Sequence, residues 1–213
     1  MNSDIIILGM SEATISMLLD IMESNNHYPK ITIVNNLRKI PEKEYLRNGF
    51  EFIEIFDLVE SSGMFAIGTA RGKNRKKVRE VFNHISNEQF VKLISSKSDV
   101  SSTVKLGNGI VINPMSCVAA HTFIDDFSFI NRGCSIGHHT VIEKYVTLNP
   151  AVNIAGNVRI GEGTTIGMGS NIIDGINIGS NSIIGVGSVV TKDIPDGVIA
   201  YGSPCKIIRE NEA

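Results

Sequence analysis

At 213 residues, 42% of them hydrophobic, the chain is long enough to bury a sizeable core as one large or two small domains. A formal net charge of −2 gives no electrostatic ground for a nucleic-acid partner or an acidic membrane surface. The three cysteines, Cys117, Cys134 and Cys205, are few, odd in number and without CxxC spacing, which fits a reduced, cytoplasmic setting, and no apolar run approaches the length of a membrane span.

The opening MNSDIIILGMSEAT is not a secretory signal, because its apolar run is short, Asp4 precedes it and basic residues are missing. Residues 4–8 predict a short buried strand meeting Gly9. A helix follows, with Ser11 as its N-cap and Ile15, Leu18, Leu19 and Met22 on one face. KITIVNN (30–36) reads as a second strand, GFEFIEI (49–55) as an edge strand and MFAIGTA (64–70) as a buried one. Residues 72–86 predict a helix with Val78, Val81, Phe82 and Ile85 on its apolar face, and FVKLI (90–94) a further strand. This βαβ-like order suggests a small Rossmann-like, nucleotide-binding domain over residues 1–97.

The first βα turn, Gly9-Met10-Ser11-Glu12-Ala13-Thr14, keeps only the first glycine of a GxGxxG fingerprint. The open amides of a helix N-terminus can still hold an anion, and Asn35 and Asn36 can hydrogen-bond a base or sugar. The plainer reading makes Gly9 a turn residue and the asparagines loop-formers. The basic run Arg71–Lys77 reads as a solvated helix face.

A Ser-rich junction, SSKSDVSST, then leads into a different pattern over residues 98–213. From Leu106 to Val190 an aliphatic residue falls at every sixth position, and two residues before each stands something compact or β-branched, such as Ser116, Thr122, Ser128, Cys134 or Thr140. A period of six fits neither a helix nor a long strand. It suits short strands broken by regular corners, the signature of a hexapeptide β-helix whose rungs bury a core only when stacked. Ordinary sandwich strands would not hold one phase for so long.

Three hexads make one triangular coil, so residues eighteen apart stack. His138 then has Ala120 one coil before it and Gly156 one coil after, and His139 stacks on His121. Three readings of these histidines stay open: a general base; a zinc site from His121, His138 and His139, without an evident fourth ligand; or plain exposed corner residues.

The run INRGCSIGHHTVIEKYVTLNPAVNIAGNVRIGEGTTIGMGSNI resembles the hexapeptide-repeat sugar acyltransferases of the sialic-acid O-acetyltransferase type, which include nucleotide-aminosugar N-acetyltransferases of bacterial glycan pathways. The tail IIGVGSVVTKDIPDGVIAYGSPCKIIRE is similar to the family's last coils and closing motif, with Cys205 in place of the usual alanine. The resemblance implies a homotrimer of left-handed β-helices with sites between neighbours, acetyl-CoA as donor, no metal, and a nucleotide-linked sugar held by the N-terminal domain. Matched onto this sequence, the base falls on His138, with His139 where many relatives carry an orienting acid. A family asparagine shortly before the base matches Asn131, and coenzyme contacts fall on Thr147, Gly156, Gly167, Met168 and Val186. Gly9, Ser11, Asn35 and Asn36, where relatives have a glycine-richer turn and acids, remain candidate substrate contacts on their own chemistry. The expected activity is acetyl transfer to a sugar, foremost to the amine of a nucleotide-linked aminosugar. The alternatives are O-acetylation of a sugar or small hydroxylated metabolite, and a non-catalytic trimeric sugar-nucleotide binder.

Overall fold

A computed structural model describes residues 4–9, 11–27, 29–35, 43–47, 50–55 and 63–212, with the backbone alone for 43–47 and 50–54. The N-terminal part is a small α/β unit built from β1 (Ile5–Leu8), α1 (Glu12–Ser24), β2 (Ile31–Val34), β3 (Lys43–Arg47), β4 (Phe50–Ile55), β5 (Met64–Ile67) and α2 (Gly72–Val81). Its sheet runs β3-β4-β2-β1-β5, parallel except for β3, which pairs antiparallel with β4. The segment expected as an edge strand, β4, therefore lies inside. The edge is KEYLR, whose charged composition suits a strand with one side unpaired.

Helix α1 buries Ile15, Leu18, Leu19 and Met22 as its spacing predicts. Ser11 is at the N-cap with extended backbone, yet its hydroxyl caps no amide and instead accepts a hydrogen bond from Thr14 Oγ1 at 3.0 Å. Helix α2 ends at Val81, sooner than its apolar spacing suggests, and Val81 is exposed. The reading of Arg71–Lys77 as a solvated face also needs correction at one residue, because Arg75 is wholly buried.

From Leu93 onward the chain is a parallel β-solenoid with three faces of two-residue strands. The first runs from Asp99–Val100 through Ser135–Ile136 to Val189–Val190, and the second from Lys105–Leu106 through Val141–Ile142 to Asn177–Ile178. The third starts at Leu93–Ile94, passes Thr147–Leu148 and ends in an antiparallel pair, Val198–Tyr201 with Lys206–Glu210. Registers such as Ser135↔Asn153 and Ile136↔Ile154 confirm the eighteen-residue coil.

Each hexad sends two side chains inward. The aliphatic series from Ile112 to Val190 is buried, and so are the small residues two positions earlier. The hydroxyl-bearing ones among them are hydrogen-bonded. Ser116, Thr122, Ser128 and Thr140 each donate their hydroxyl to the backbone carbonyl fifteen residues on, that of Asn131, Gly137, Glu143 and Ala155 respectively. The corners thus have their carbonyls satisfied inside a dry core. From Ile112 to Ile184, three residues after each inward aliphatic the backbone is left-handed, at Met115, His121, Phe127, Gly133, His139 and onward to Gly187.

The two parts share a core. Leu93, Val111 and Phe129, which face outward from the solenoid's third face, pack with Ile5, Leu18 and Ile31. Among the described residues no helix is long and apolar enough to cross a membrane.

Candidate active site

The edge between the first and second faces carries the histidines. His138 and His139 are exposed, and their Nδ1 atoms are 3.1 Å apart, so one of the two must donate to the other. His139 also lies against His121, with ring centroids 4.9 Å apart, as the eighteen-residue spacing predicts. The His138 ring turns toward the following coils and lies over Gly156. A Cβ on that glycine would stand 2.6 Å from His138 Cε1 and 2.8 Å from Nε2. Gly156 is therefore what lets the imidazole lie along the edge. When His138 is the donor, its Nδ1 carries the hydrogen and Nε2 is the nitrogen left to accept a proton. Among the described residues no group of three or more His, Cys, Asp or Glu side chains is arranged to hold a metal ion.

Other expected residues lie elsewhere. Asn131, Gly167, Met168 and Val186 sit on the edge between the third and first faces, Met168 directly under Val186, where the Gly187 amide bonds the Met168 carbonyl. Met168 and Val186 are both well exposed. That edge offers an apolar strip rather than a catalytic group. Cys134, on the same edge, is buried, and burial pushes its thiol up to about 11, which removes it as a nucleophile near neutral pH.

Thr147 is buried on the third face, at the seam with the N-terminal unit. Its hydroxyl donates to the Ala70 carbonyl at 3.1 Å and accepts from Arg75 Nη2 at 3.0 Å. Arg75 is the centre of this seam. Its Nε donates to the Phe127 carbonyl at 2.7 Å, its Nη2 to the Tyr145 and Val146 carbonyls at 2.9 Å each, and its Nη1 to the Ala70 carbonyl. Burial draws the guanidinium down to about 9, so it is charged at neutral pH, with carbonyl dipoles rather than a carboxylate around it. Helix α2 can approach this closely because it begins at Gly72, where a Cβ would run into the Tyr145 carbonyl oxygen. The sequence carried a signal for this in Gly72, Arg75 and Val78, which share one side of α2, with Phe82 just past its end.

In the N-terminal unit, Gly9 and Ser11 line a cleft of about 700 Å³ together with Thr69, Arg71, Asn74 and Lys77. The predicted turn and the basic helix therefore meet at one opening, which suits an anionic ligand. Asn35 is buried, and Asn36 lies outside the described residues. Among the described residues, none lines both this cleft and the histidine edge.

Residues 139–173 match the family model for bacterial transferase hexapeptide (six repeats). No curated protein sequence matches the chain. Among solved structures, PerB from Caulobacter crescentus, in complex with CoA and GDP-perosamine, is 26% identical, with a TM-score of 0.82 over 96% of this chain and 97% of that one. The acetyltransferase domain of PglB from Neisseria gonorrhoeae, in complex with acetyl coenzyme A, is 22% identical (TM-score 0.83, 96% and 98% covered). WeeI from Acinetobacter baumannii is 22% identical (TM-score 0.81, 96% and 99% covered), and these last two likenesses are of fold. The chain thus carries bacterial transferase hexapeptide repeats on a whole-chain architecture similar to that of the perosamine N-acetyltransferase of Caulobacter.

Proposed function

We propose that the protein is an acetyl-CoA-dependent N-acetyltransferase acting on the amine of a nucleotide-linked aminosugar. The observation that carries this is the whole-chain likeness, at 26% identity, to an enzyme bound to CoA and GDP-perosamine. In this reading residues 1–97 form a Rossmann-like domain holding the nucleotide, and residues 98–213 form a left-handed β-helix that performs the transfer in the cytoplasm. Gly9 and Ser11 belong to the nucleotide cleft, with Arg71 and Lys77 supplying positive charge for its phosphates. Asn35 and Asn36 are assigned to the base or sugar, and Asn131 to the acceptor.

His138 is the general base. Its Nδ1 faces His139, so Nε2 takes the proton from the acceptor amine as the nitrogen attacks the thioester carbonyl. The C–N bond forms, the C–S bond breaks, and the departing thiolate recovers the proton from the imidazolium. Transfer is direct, and binding both substrates in one site removes most of the entropic barrier. The apolar strip of Gly167, Met168 and Val186 suits the coenzyme's pantetheine arm, with Gly156 beside the base and Thr147 supporting from the seam.

The base falls on one edge of the solenoid and Gly167, Met168 and Val186, assigned to the coenzyme, on another, which supports a homotrimer: the histidine edge of one copy faces the Met168 edge of the next. The test is a panel of UDP-, GDP-, CDP- and dTDP-linked aminosugars incubated with acetyl-CoA and protein, reading free CoA thiol and the acetamide product. Rapid transfer to one nucleotide class is expected. Absence of transfer to all four overturns the assignment.

A further inference from the structure

Gly156 has a second neighbour besides His138. A Cβ at that position would stand 3.0 Å from Asp174 Oδ1, as well as 2.8 Å from His138 Nε2. The imidazole reaches down from one coil and the carboxylate comes up from the coil two further on. The glycine between them contributes no side chain, so the carboxylate oxygen and Nε2 lie within about 6 Å of each other, the range of a direct charge interaction. They are not hydrogen-bonded to each other. The carboxylate is held by Asn157 Nδ2, which donates to Asp174 Oδ1 at 3.3 Å. Both His138 and Asp174 are exposed.

We infer that His138 Nε2 and Asp174 Oδ1 are a split acceptor pair that recognises an amine between them, making Asp174 the residue that selects N- over O-acetylation. This rests on the acetyltransferase reading above and adds the acceptor specificity. With His138 donating its Nδ1–H to His139, as the base reading requires, Nε2 offers a lone pair, and the carboxylate offers only lone pairs. Two acceptors facing one gap need a group with at least two hydrogens. An amine has them: one N–H points to Asp174 while the other is the proton His138 removes. A hydroxyl has one hydrogen. If it goes to Nε2, the carboxylate faces an oxygen lone pair, and that mismatch penalises the alcohol. In the transfer step the nitrogen gains the acetyl carbon, its proton passes to Nε2 and then to the leaving thiolate, and Asp174 keeps its hydrogen bond throughout.

Asp174→Asn is nearly isosteric and lies on an exposed corner, so it leaves the solenoid intact. The amide replaces the charge and can turn an N–H toward a hydroxyl oxygen. The experiment compares wild type and D174N on the UDP-, GDP-, CDP- and dTDP-linked aminosugars, each beside its counterpart carrying a hydroxyl in place of the amine. The expected result is a roughly 10- to 100-fold fall in kcat/KM for the amine, the range for one lost charged hydrogen bond. The KM for acetyl-CoA should stay unchanged, and the hydroxyl-to-amine ratio should rise by at least as much. A wild type that acetylates the amine, with a D174N variant that keeps the same ratio, overturns the inference and leaves the acetyltransferase standing. A wild type acting only on hydroxyls also overturns it. A wild type acting on no acceptor overturns both.

Discussion

His138 and His139 face each other through their Nδ1 atoms at 3.1 Å, which leaves room for one hydrogen between two nitrogens. If His138 is the base, as proposed, its neighbour can serve it only by accepting that hydrogen, with His138 as the Nδ1–H tautomer. An asparagine at 139 would place a carbonyl oxygen close to where the imidazole Nδ1 now sits. It would also suit the backbone, because His139 has φ of 56° and Asn157 holds the same corner one coil on with the same φ. His139→Asn is expected to retain acetyl transfer within about tenfold, whereas His138→Ala should lose about 10²- to 10⁴-fold in kcat. Steady-state kinetics on the pair decides between an orienting neighbour and a second catalytic imidazole. A collapse of His139→Asn to the level of His138→Ala would support the latter.

Gly156→Ala tests whether the position of the His138 ring matters rather than its presence. The new methyl would meet His138 Cε1 at 2.6 Å, far inside van der Waals contact, and the easiest relief is for the exposed imidazole to swing away. The thermal midpoint should change little, since no backbone blocks the methyl, while kcat falls by more than tenfold. Equal activity in Gly156→Ala would mean that the ring works from another rotamer.

The solenoid was legible in the sequence almost in full, because each rung repeats the same demand: an aliphatic such as Ile136 inside, a small residue such as Cys134 behind it, a tight corner after. The stacking of His139 on His121 followed from the same arithmetic. What escaped were features that depend on where a second element lands. Strand β3 was missed because KEYLR is mostly charged and carries no buried-strand pattern, which suits an edge. Arg75 sat in a run of basic residues and looked like its neighbours until α2 was docked on the solenoid. Asp174 is thirty-six positions from His138, two coils away. Only the direction in which the imidazole leans brings the two side chains to one glycine. A period predicts which residues stack, not which way a side chain turns.

Arg75 should be the principal clamp between the two parts of the chain. Replacing it with Met keeps much of the volume but leaves the carbonyls of Phe127 and Tyr145 without a donor in a buried seam, while that of Val146 keeps only the Phe129 amide. Each unsatisfied carbonyl costs about 1–3 kcal/mol, partly relieved by relaxation, so a loss of several kcal/mol is expected. Hydrogen exchange should show the extra opening in α2 and around residues 127 and 145 rather than in the later coils. Thr147→Val removes one partner of the same clamp, and its signature should be a lower thermal midpoint with an unaltered KM for acetyl-CoA. A raised KM at unchanged stability would return Thr147 to the coenzyme site.

Cys134 offers a test of the interior that is independent of catalysis. Its side chain is buried two positions before Ile136, and Sγ donates to the Asn149 carbonyl at 3.2 Å, taking the place that a serine or threonine hydroxyl holds in neighbouring rungs. Burial raises the thiol from an ordinary 9.0 to about 11. The folded form therefore holds its proton over a range in which the unfolded chain has given it up. Stability from this group is present in full below pH 9 and is lost as the pH rises from there toward 11, about 3 kcal/mol at most. Valine already fills the same hexad position at Val146, Val152 and Val158, each fully buried, so Cys134→Val should fold with little cost at pH 8. Denaturation curves at pH 8 and pH 10.5 should show a smaller alkaline loss for the valine variant than for the wild type. Tyr145, which burial also shifts upward, contributes equally to both proteins and cancels in the comparison. Identical alkaline losses would mean that water reaches the Cys134 thiol and that the rung beside the histidine edge is not closed.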